Sequence, residues 1–600
     1  MVIQNFIFPS VETSTEEELY FRTVGEVEYT LSQNKILLKE KACLYFDTYF
    51  NSLSIGKWKK YTKVKHVFVN LKIKGKAKIR LIRKERIGEE VQSHFLNESI
   101  LESAGEEVTL KFEDSNTNGI YSVDIVALED TEFYGGFYWT DQDADRFAKI
   151  ALNICTFRRE KFVEKNMGLI EEKLWGIDFC SNYKIFRKNL HIFLIDNAST
   201  LEKNKFNTDY IYLIQNKNVG GAGGFTRGLI EIKKLQKEEG YTHALLMDDD
   251  IVIEVESLFR TWVLLSLLKE EYKKAFIGGA MLRLDKAYIQ VESGALWDRG
   301  YLVSRKSGLD LRSVEACLYN ETEEKVDYCA WWYCAVPLEI VTENNLPLPI
   351  FIRGDDVEYG LRNIKKVILM NGICVWHEPF ENKYSSSMFY YILRNRLIDN
   401  AIHHIALDKK EFIKVMEKQV RVELYLYRYK NARLLMRGVM DFYKGIDWLK
   451  EQDGEKLHKW IMNEGYKMQY IEELEEGFDY PSYKNALGEK VKTSLGHRII
   501  RRVTINGTFL KPKCKVAVTS VADGKHSNVY RAEKVINYDK VSQKGFITKR
   551  DVKEAKACER LLKRVIAATN QYYDKVNEEY AERGKELMQS EFWKHYLGIL

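Results

Sequence analysis

Residues 244–251 read Ala-Leu-Leu-Met-Asp-Asp-Asp-Ile, an apolar run that climbs directly into three adjacent carboxylates. Acids at the end of a buried strand are costly unless a cation meets them. On an extended chain Asp248 and Asp250 share one side and Asp249 faces the other. Two hard oxygen ligands on one side suit Mg²⁺ or Mn²⁺ carrying a diphosphate. A solvated acidic loop is the competing reading, and the apolar lead-in argues against it. A second acidic group, Asp355, Asp356 and Glu358, lies in Phe351-Ile-Arg-Gly-Asp-Asp-Val-Glu-Tyr-Gly-Leu-Arg362, where an apolar run meets a helical one. Paired carboxylates raise one another's pKa and suit general-base work, while Asp355 can also cap the helix. Val375-Trp-His-Glu-Pro379 ends another apolar run, and beside the two acids His377 is favoured as a third metal ligand.

Two further motifs are ambiguous on their own. Asn218-Val-Gly-Gly-Ala-Gly-Gly-Phe-Thr-Arg-Gly228 opens a helical stretch. Its glycines either let the backbone approach an anion or permit close helix–strand packing, and taken alone the packing reading is favoured. There is no Gly-Lys-Ser/Thr and no clean dinucleotide fingerprint. In Tyr328-Cys-Ala-Trp-Trp-Tyr-Cys-Ala-Val-Pro337 the adjacent rings of an extended chain would face opposite sides. Either one tryptophan forms a sugar platform, or the pair is one core ring and one interface ring.

The elements that must position these residues fall into three segments. Residues 1–145 alternate apolar and polar residues in short runs, as in Lys63-Val-Lys-His-Val-Phe-Val-Asn-Leu-Lys-Ile-Lys-Gly, which predicts an antiparallel β-sandwich or barrel. Phe133-Tyr-Gly-Gly-Phe-Tyr-Trp-Thr140 sets five aromatics around a glycine pair, read either as a turn with core rings or as rings that hold carbohydrate. Residues 146–388 alternate short apolar strands with helical spans such as 224–238, the βαβ pattern of a mainly parallel sheet. Its predicted strands end in polar residues at 156–159, 196–197, 216–218 and 248–250. Residues 389–600 are mainly helical, with a strand-like interruption near 500–550, giving a multidomain α/β chain.

Composition bounds the partners. A chain of 600 residues, 45% hydrophobic and 30% charged, calls for about two to four domains. The net charge of +5 is small for this length, so nucleic acid is not expected, while weak attraction to an anionic membrane is allowed. Nine scattered cysteines without a CxxC pair predict buried thiols in a reducing compartment rather than zinc or disulfides. No secretory leader and no spanning helix is expected, so the reading is cytoplasmic. The basic, aromatic stretch Arg421–Arg437 could rest on lipid headgroups, although a solvated helix packed on its neighbours is favoured. Asn506-Gly507-Thr508 fits a glycosylation sequon and is read as a turn.

In order and approximate spacing, the acidic triplet, the Asn218 segment, the Asp-Asp pair and the trailing Trp-His resemble the inverting family 2 glycosyltransferases of GT-A fold. More narrowly, the chain resembles the bacterial galactofuranosyltransferases that polymerise galactan. That resemblance extends from the Tyr-Phe-Asn, Lys-Trp and Gly-Gly-Phe-Tyr-Trp elements through the Trp-Trp motif to the helical tail. It implies that Thr156, Arg159, Asp196, Asn218 and Asp249 contact a uridine diphosphate, and that Asp248, Asp250 and His377 hold Mn²⁺ or Mg²⁺. It further implies Asp356 as base supported by Asp355, and Glu292, Trp297, Trp331 and Trp332 around sugar and acceptor. The donor would be UDP-galactofuranose, the acceptor a glycan or lipid-linked glycan at the membrane face, and the protein a homo-oligomer. The chain departs from the pattern at Arg158 and Glu160, where relatives carry Asn and Pro, and at Arg353-Gly354, where they carry an aromatic residue beside the base. Three other readings compete: another UDP-hexose or rhamnosyl transferase of the same fold, a non-catalytic glycan-binding protein, and a nucleotidyltransferase. The last needs a basic triphosphate loop, of which Arg158-Arg159 is a thin version.

Overall fold

The computed structural model describes residues 1–31, 34–114, 116, 118–177, 179–474 and 494–599. The chain divides into two compact units: residues 1–298, 302–346 and 359–378 form the first, and residues 299–301, 347–358 and 379–600 the second.

The first unit contains two nine-stranded sheets. The N-terminal one is antiparallel throughout and is hydrogen-bonded as one continuous sheet rather than as two separate ones. Its organising element is the 20-residue strand Phe68–Ile87, whose Val69, Leu71, Ile73, Ala77, Ile79 and Leu81 alternate into the core. One edge of that strand pairs with Glu90–Lys111. The other pairs first with Thr131–Trp139 and then with Ile120–Ala127, so one strand joins two leaves. The glycine pair 135–136 is not a turn. It lies inside the Thr131–Trp139 strand at a register shift opposite Lys72 and Ile73. Gly135 has φ +112°, and a Cβ on Gly136 would lie 2.1 Å from the Asn70 carbonyl oxygen.

In the central sheet, Ile211–Gln215, Leu190–Asp196, Ile150–Thr156 and His243–Asp248 run parallel in that spatial order. Cys334–Pro337 then pairs antiparallel, followed by Phe276–Arg283 and the parallel Val367–His377, with Ile251–Ile253 at the far edge. Ile150–Thr156, Leu190–Asp196 and His243–Asp248 read as near-continuous apolar runs because side chains on both of their faces are buried. The two sheets of this unit are joined around a buried carboxylate. Glu256 accepts from Asn5 N (2.7 Å), Asn5 Nδ2 (2.9 Å), Tyr183 Oη (2.7 Å) and Arg260 Nε (3.1 Å), so the charge is buried but fully partnered.

The second unit is mostly helical. Its long helix Val552–Arg583 buries Ala555, Cys558, Leu562, Val565, Thr569, Tyr573, Val576 and Tyr580, the three- and four-residue spacing of one helical face. Asp551 caps it, accepting from the Lys553 and Glu554 amides. The segment near 500–550 supplies the strands Cys514–Ser520, Ala532–Asp539 and Lys544–Lys549. Asn506 is a turn residue with φ +53°, fully buried, and its amide donates to the Tyr425 and His526 carbonyls, so it is closed to glycosylation. Among the described residues no helix is long and apolar enough to cross a membrane.

Candidate active site

Strand register sets the site in the first unit. Thr156 lies opposite Asp196, Cys155 opposite Asp248, and Asp196 opposite Gln215, so the polar ends of four parallel strands form one row. This is the carboxyl edge at which open α/β sheets bind ligands. The strand stops at Asp248, and Asp249 and Asp250 form the turn into Ile251–Ile253. Asn166 fastens that turn, donating to the Asp249 carbonyl (3.1 Å) and the Ile251 carbonyl (2.9 Å).

His377 ends the Val367–His377 strand, opposite Ile251 on one side and Arg283 on the other. That register carries its imidazole to Asp250, with Nε2 3.4 Å from Oδ1. One ligand atom from each of Asp248, Asp250 and His377 falls within 4.8 Å of the others. Ligands around one small divalent cation stand roughly 3–4 Å apart, so two carboxylates and an imidazole at this spacing fit such an ion. Asp249 turns instead toward Arg159, whose guanidinium spans Asp249 (2.9 Å) and Asp250 (2.7 Å). Burial pushes the Asp249 carboxyl above its ordinary pKa, and Arg159 pulls the other way.

The remaining sequence-predicted donor residues lie on the same edge. Asp196 is fully buried and holds the following loop, accepting from the Ala198 amide (2.9 Å) and the Leu201 amide (2.8 Å). Asn218 accepts from the Gly220 amide (3.2 Å) at the start of the helix Gly220–Glu239. The glycine run lies within that helix, which begins four residues earlier than its apolar pattern suggests. Two of its glycines serve packing: a Cβ on Gly224 would lie 2.0 Å from Cys155 Sγ, and one on Gly228 2.0 Å from Asn153 Oδ1. Gly228→Ala is therefore expected to destabilise the first unit by about 1–3 kcal/mol, measured as a lower denaturation midpoint. An unchanged midpoint would show that the helix does not rest on this strand.

Of the proposed sugar and acceptor residues, Glu292 is buried and accepts from Ser304 Oγ (2.6 Å). The Trp297 amide donates to Asp327 (3.1 Å). Trp331 and Trp332 are not on an extended run; they occupy a turn before Cys334–Pro337, and both rings are buried. Trp331 meets Phe225 and Tyr359 edge-on, and Trp332 Nε1 donates to the Gly279 carbonyl (3.0 Å).

The second acidic group belongs to the second unit. Asp355, Asp356 and Glu358 fill the first turn of the helix Asp355–Asn363, where the positive end of the helix dipole favours carboxylates. The approach is strained: Phe351, Arg353 and Gly354 have φ of +76°, +66° and +100°. The loop is held by the buried helix Ser387–Ile402. Asn395 Nδ2 donates to the Ile352 carbonyl (2.8 Å) and the Arg353 carbonyl (2.7 Å), and Arg394 donates to the Ile350 carbonyl (2.6 Å). Burial raises the Asp356 carboxyl to about 6, against an opposing bond from the Val357 amide (2.8 Å).

Sequence reading missed Arg394, Asn395 and Asp399. Their signal is polar residues within an otherwise apolar helix, Leu-Arg-Asn-Arg-Leu-Ile-Asp-Asn at 393–400. Asp399 is fully buried, and neither of its oxygens has a hydrogen-bond partner among the described residues. Burial first, then the charges of Glu358, Asp355 and Asp356, push its pKa well above the usual range. A carboxyl raised in the folded state contributes stability at acid pH that is lost as pH rises. Asp399→Asn keeps the neutral shape and is expected to raise the melting temperature near pH 7 by ~2–4 °C while flattening its pH slope. A lower, still pH-dependent melting temperature would contradict a neutral Asp399.

The family model "Galactofuranosyltransferase 2 N-terminal" matches residues 3–142. The chain is 24% identical over 501 residues to the galactofuranosyltransferase GlfT2 of Mycobacterium tuberculosis, covering 78% of this chain and 76% of that one. It is 26% identical over 398 residues to GlfT2 of Mycolicibacterium smegmatis, covering 60% of this chain and 57% of that one. Among solved structures, a carbohydrate-binding module in complex with β-1,4-galactotriose aligns at TM-score 0.15 and 15% identity, over 23% of this chain and 99% of that one, too weakly to bear on the fold. With the domain match at the N-terminus and two relatives that extend the likeness through most of the sequence, this chain is a glycosyltransferase similar to the galactofuranosyltransferases.

Proposed function

We propose that this chain is an inverting, metal-dependent transferase whose residues 146–388 form a GT-A catalytic domain, moving galactofuranose from its uridine diphosphate to a glycan or lipid-linked glycan in cell-surface polysaccharide synthesis. The observation that carries the proposal is the meeting of Asp248, Asp250 and His377 at the carboxyl edge of the parallel strands. Mn²⁺ or Mg²⁺ held by these three would neutralise charge on the departing diphosphate. Arg159, Thr156, Asp196 and Asn218 orient the nucleotide along the strand ends. Glu292, Trp297, Trp331 and Trp332 shape the space for sugar and acceptor. Asp356, supported by Asp355, takes the proton of the attacking acceptor hydroxyl. The new C–O bond forms at the anomeric carbon as the bond to the diphosphate oxygen breaks on the opposite face. One such displacement inverts the stereochemistry and releases UDP.

The test is a transfer and hydrolysis screen over UDP-galactofuranose, UDP-galactopyranose, UDP-glucose and a rhamnosyl nucleotide, each with Mn²⁺ and with a chelator. Turnover is expected with UDP-galactofuranose and is expected to vanish on chelation. Turnover that ignores chelation removes the metal role, and preference for another nucleotide sugar removes the donor assignment.

A further inference from the structure

Cys329 and Cys334 bracket the run Ala-Trp-Trp-Tyr, and their sulfurs lie 3.0 Å apart. Both are thiols, and both are buried, at 3% and 1% exposure. The strand beneath brings them together. Cys334 begins the strand Cys334–Pro337 and lies opposite Gly278 of Phe276–Arg283. Cys329 returns over the same glycine: a Cβ on Gly278 would lie 2.9 Å from Cys329 Cβ. A side chain at 278 would therefore displace one thiol from the other. The turn between them is fastened to the next residue of that strand. The Gly279 amide donates to the Tyr333 carbonyl (3.0 Å), and Trp332 Nε1 donates to the Gly279 carbonyl (3.0 Å). Tyr333 Oη donates to the Ser257 carbonyl (2.9 Å), which leaves the sulfurs little freedom to drift apart.

A disulfide holds its sulfurs about 2.05 Å apart, so roughly 1 Å of travel separates this pair from a bond. A lone buried thiol is inert, but here the sulfur that would resolve an oxidised partner is already in place. Burial shuts out bulky oxidants, whereas hydrogen peroxide is small enough to enter on local opening. One sulfur attacks a peroxide oxygen, the O–O bond breaks, water leaves and a sulfenic acid remains. The second sulfur attacks the first, the S–O bond breaks and another water leaves. The thiols lose two protons and two electrons, and the peroxide is reduced to water. In a reducing compartment a small thiol reverses the bond, which makes it transient.

We propose that Cys329 and Cys334 form a reversible oxidation site, joined by peroxide into a disulfide that clasps the Trp331–Trp332 turn. The covalent step stands on the two thiols alone; its effect on transfer rests on the reading of Trp331 and Trp332 as acceptor residues. The experiment treats the full chain with hydrogen peroxide, alkylates the remaining thiols, and weighs the peptide that carries residues 329–334. That peptide is expected to be unalkylated and lighter by two hydrogens, and to regain two alkylable thiols after dithiothreitol. A shift of about 1 Å at a positioning group can cost as much as 100-fold, so transfer is expected to fall roughly 10- to 100-fold and to return with dithiothreitol, while UDP binding stays near its starting value. Cys329→Ala and Cys334→Ala are expected to keep their transfer rates through the same treatment. A parent peptide with both thiols alkylated overturns the proposal, and this readout needs no variant to fold. So does an equal loss of transfer in both variants, which places the oxidation elsewhere. A bridged peptide with transfer unaltered upholds the oxidation site and removes the two tryptophans from the acceptor pocket.

Discussion

Asp356→Asn is expected to lower the transfer rate by about 10²- to 10⁴-fold, the usual contribution of a positioned general base, while leaving donor affinity within a small factor of the parent. The side chain keeps its size, so the helix start and its bond from the Val357 amide survive, and only the capacity to take a proton is lost. The pH profile adds a second signature. A base works when deprotonated, and burial raises this carboxyl to about 6. The parent's rate is therefore expected to climb with pH through that value and to level off above it. Single-turnover transfer to a synthetic acceptor, measured from pH 4.5 to 8.5 alongside donor titration, reads both effects. A variant that transfers at the parent's rate removes Asp356 as base. A profile that falls as pH rises through 6 assigns the limiting group a protonated role instead.

The second large effect is expected at the proposed metal trio. Asp250→Asn and His377→Ala should each weaken Mn²⁺-dependent UDP binding by roughly 100-fold or more, because each would remove one of the three proposed ligands. Binding of UDP without the ion should change little in His377→Ala, since no nucleotide contact is assigned to that imidazole. In Asp250→Asn the guanidinium of Arg159 retains Asp249 as its partner, so the local fold should hold. Calorimetry with and without Mn²⁺ separates the two outcomes. Parent-like affinity in both variants would show that the three side chains meet without binding an ion.

Much of this site is legible in the sequence because it depends on local pattern. An apolar run ending in acids gives a strand and its ligand-bearing end, and parallel pairing then aligns Thr156, Asp196 and Asp248 without any long-range information beyond strand order. Other features depend on what lies across the gap. Gly224 and Gly228 admit either an anion loop or close packing, with packing favoured, and the structure shows the partners that require it, Cys155 and Asn153 across the gap from helix to strand, which no spacing along the chain encodes. Gly135 and Gly136 look like a turn because the bulge they make is defined by the partner strand. Asn395 and Asp399 read only as polar residues on an apolar helix. Their reach to the 350–354 loop, and the unbonded carboxyl of Asp399, appear once that helix is placed.

His377 arrives at Asp250 by way of an eleven-residue strand zipped between neighbours on both sides. A slip of one residue would swing its imidazole to the opposite face of the sheet. Under the proposed metal role, cation affinity would gauge whether the sheet has closed in register. During refolding it should emerge only after Val367–His377 has docked, later than any helical signal, and a chelator should depress the melting curve of the finished first unit without altering the route by which its early strands assemble.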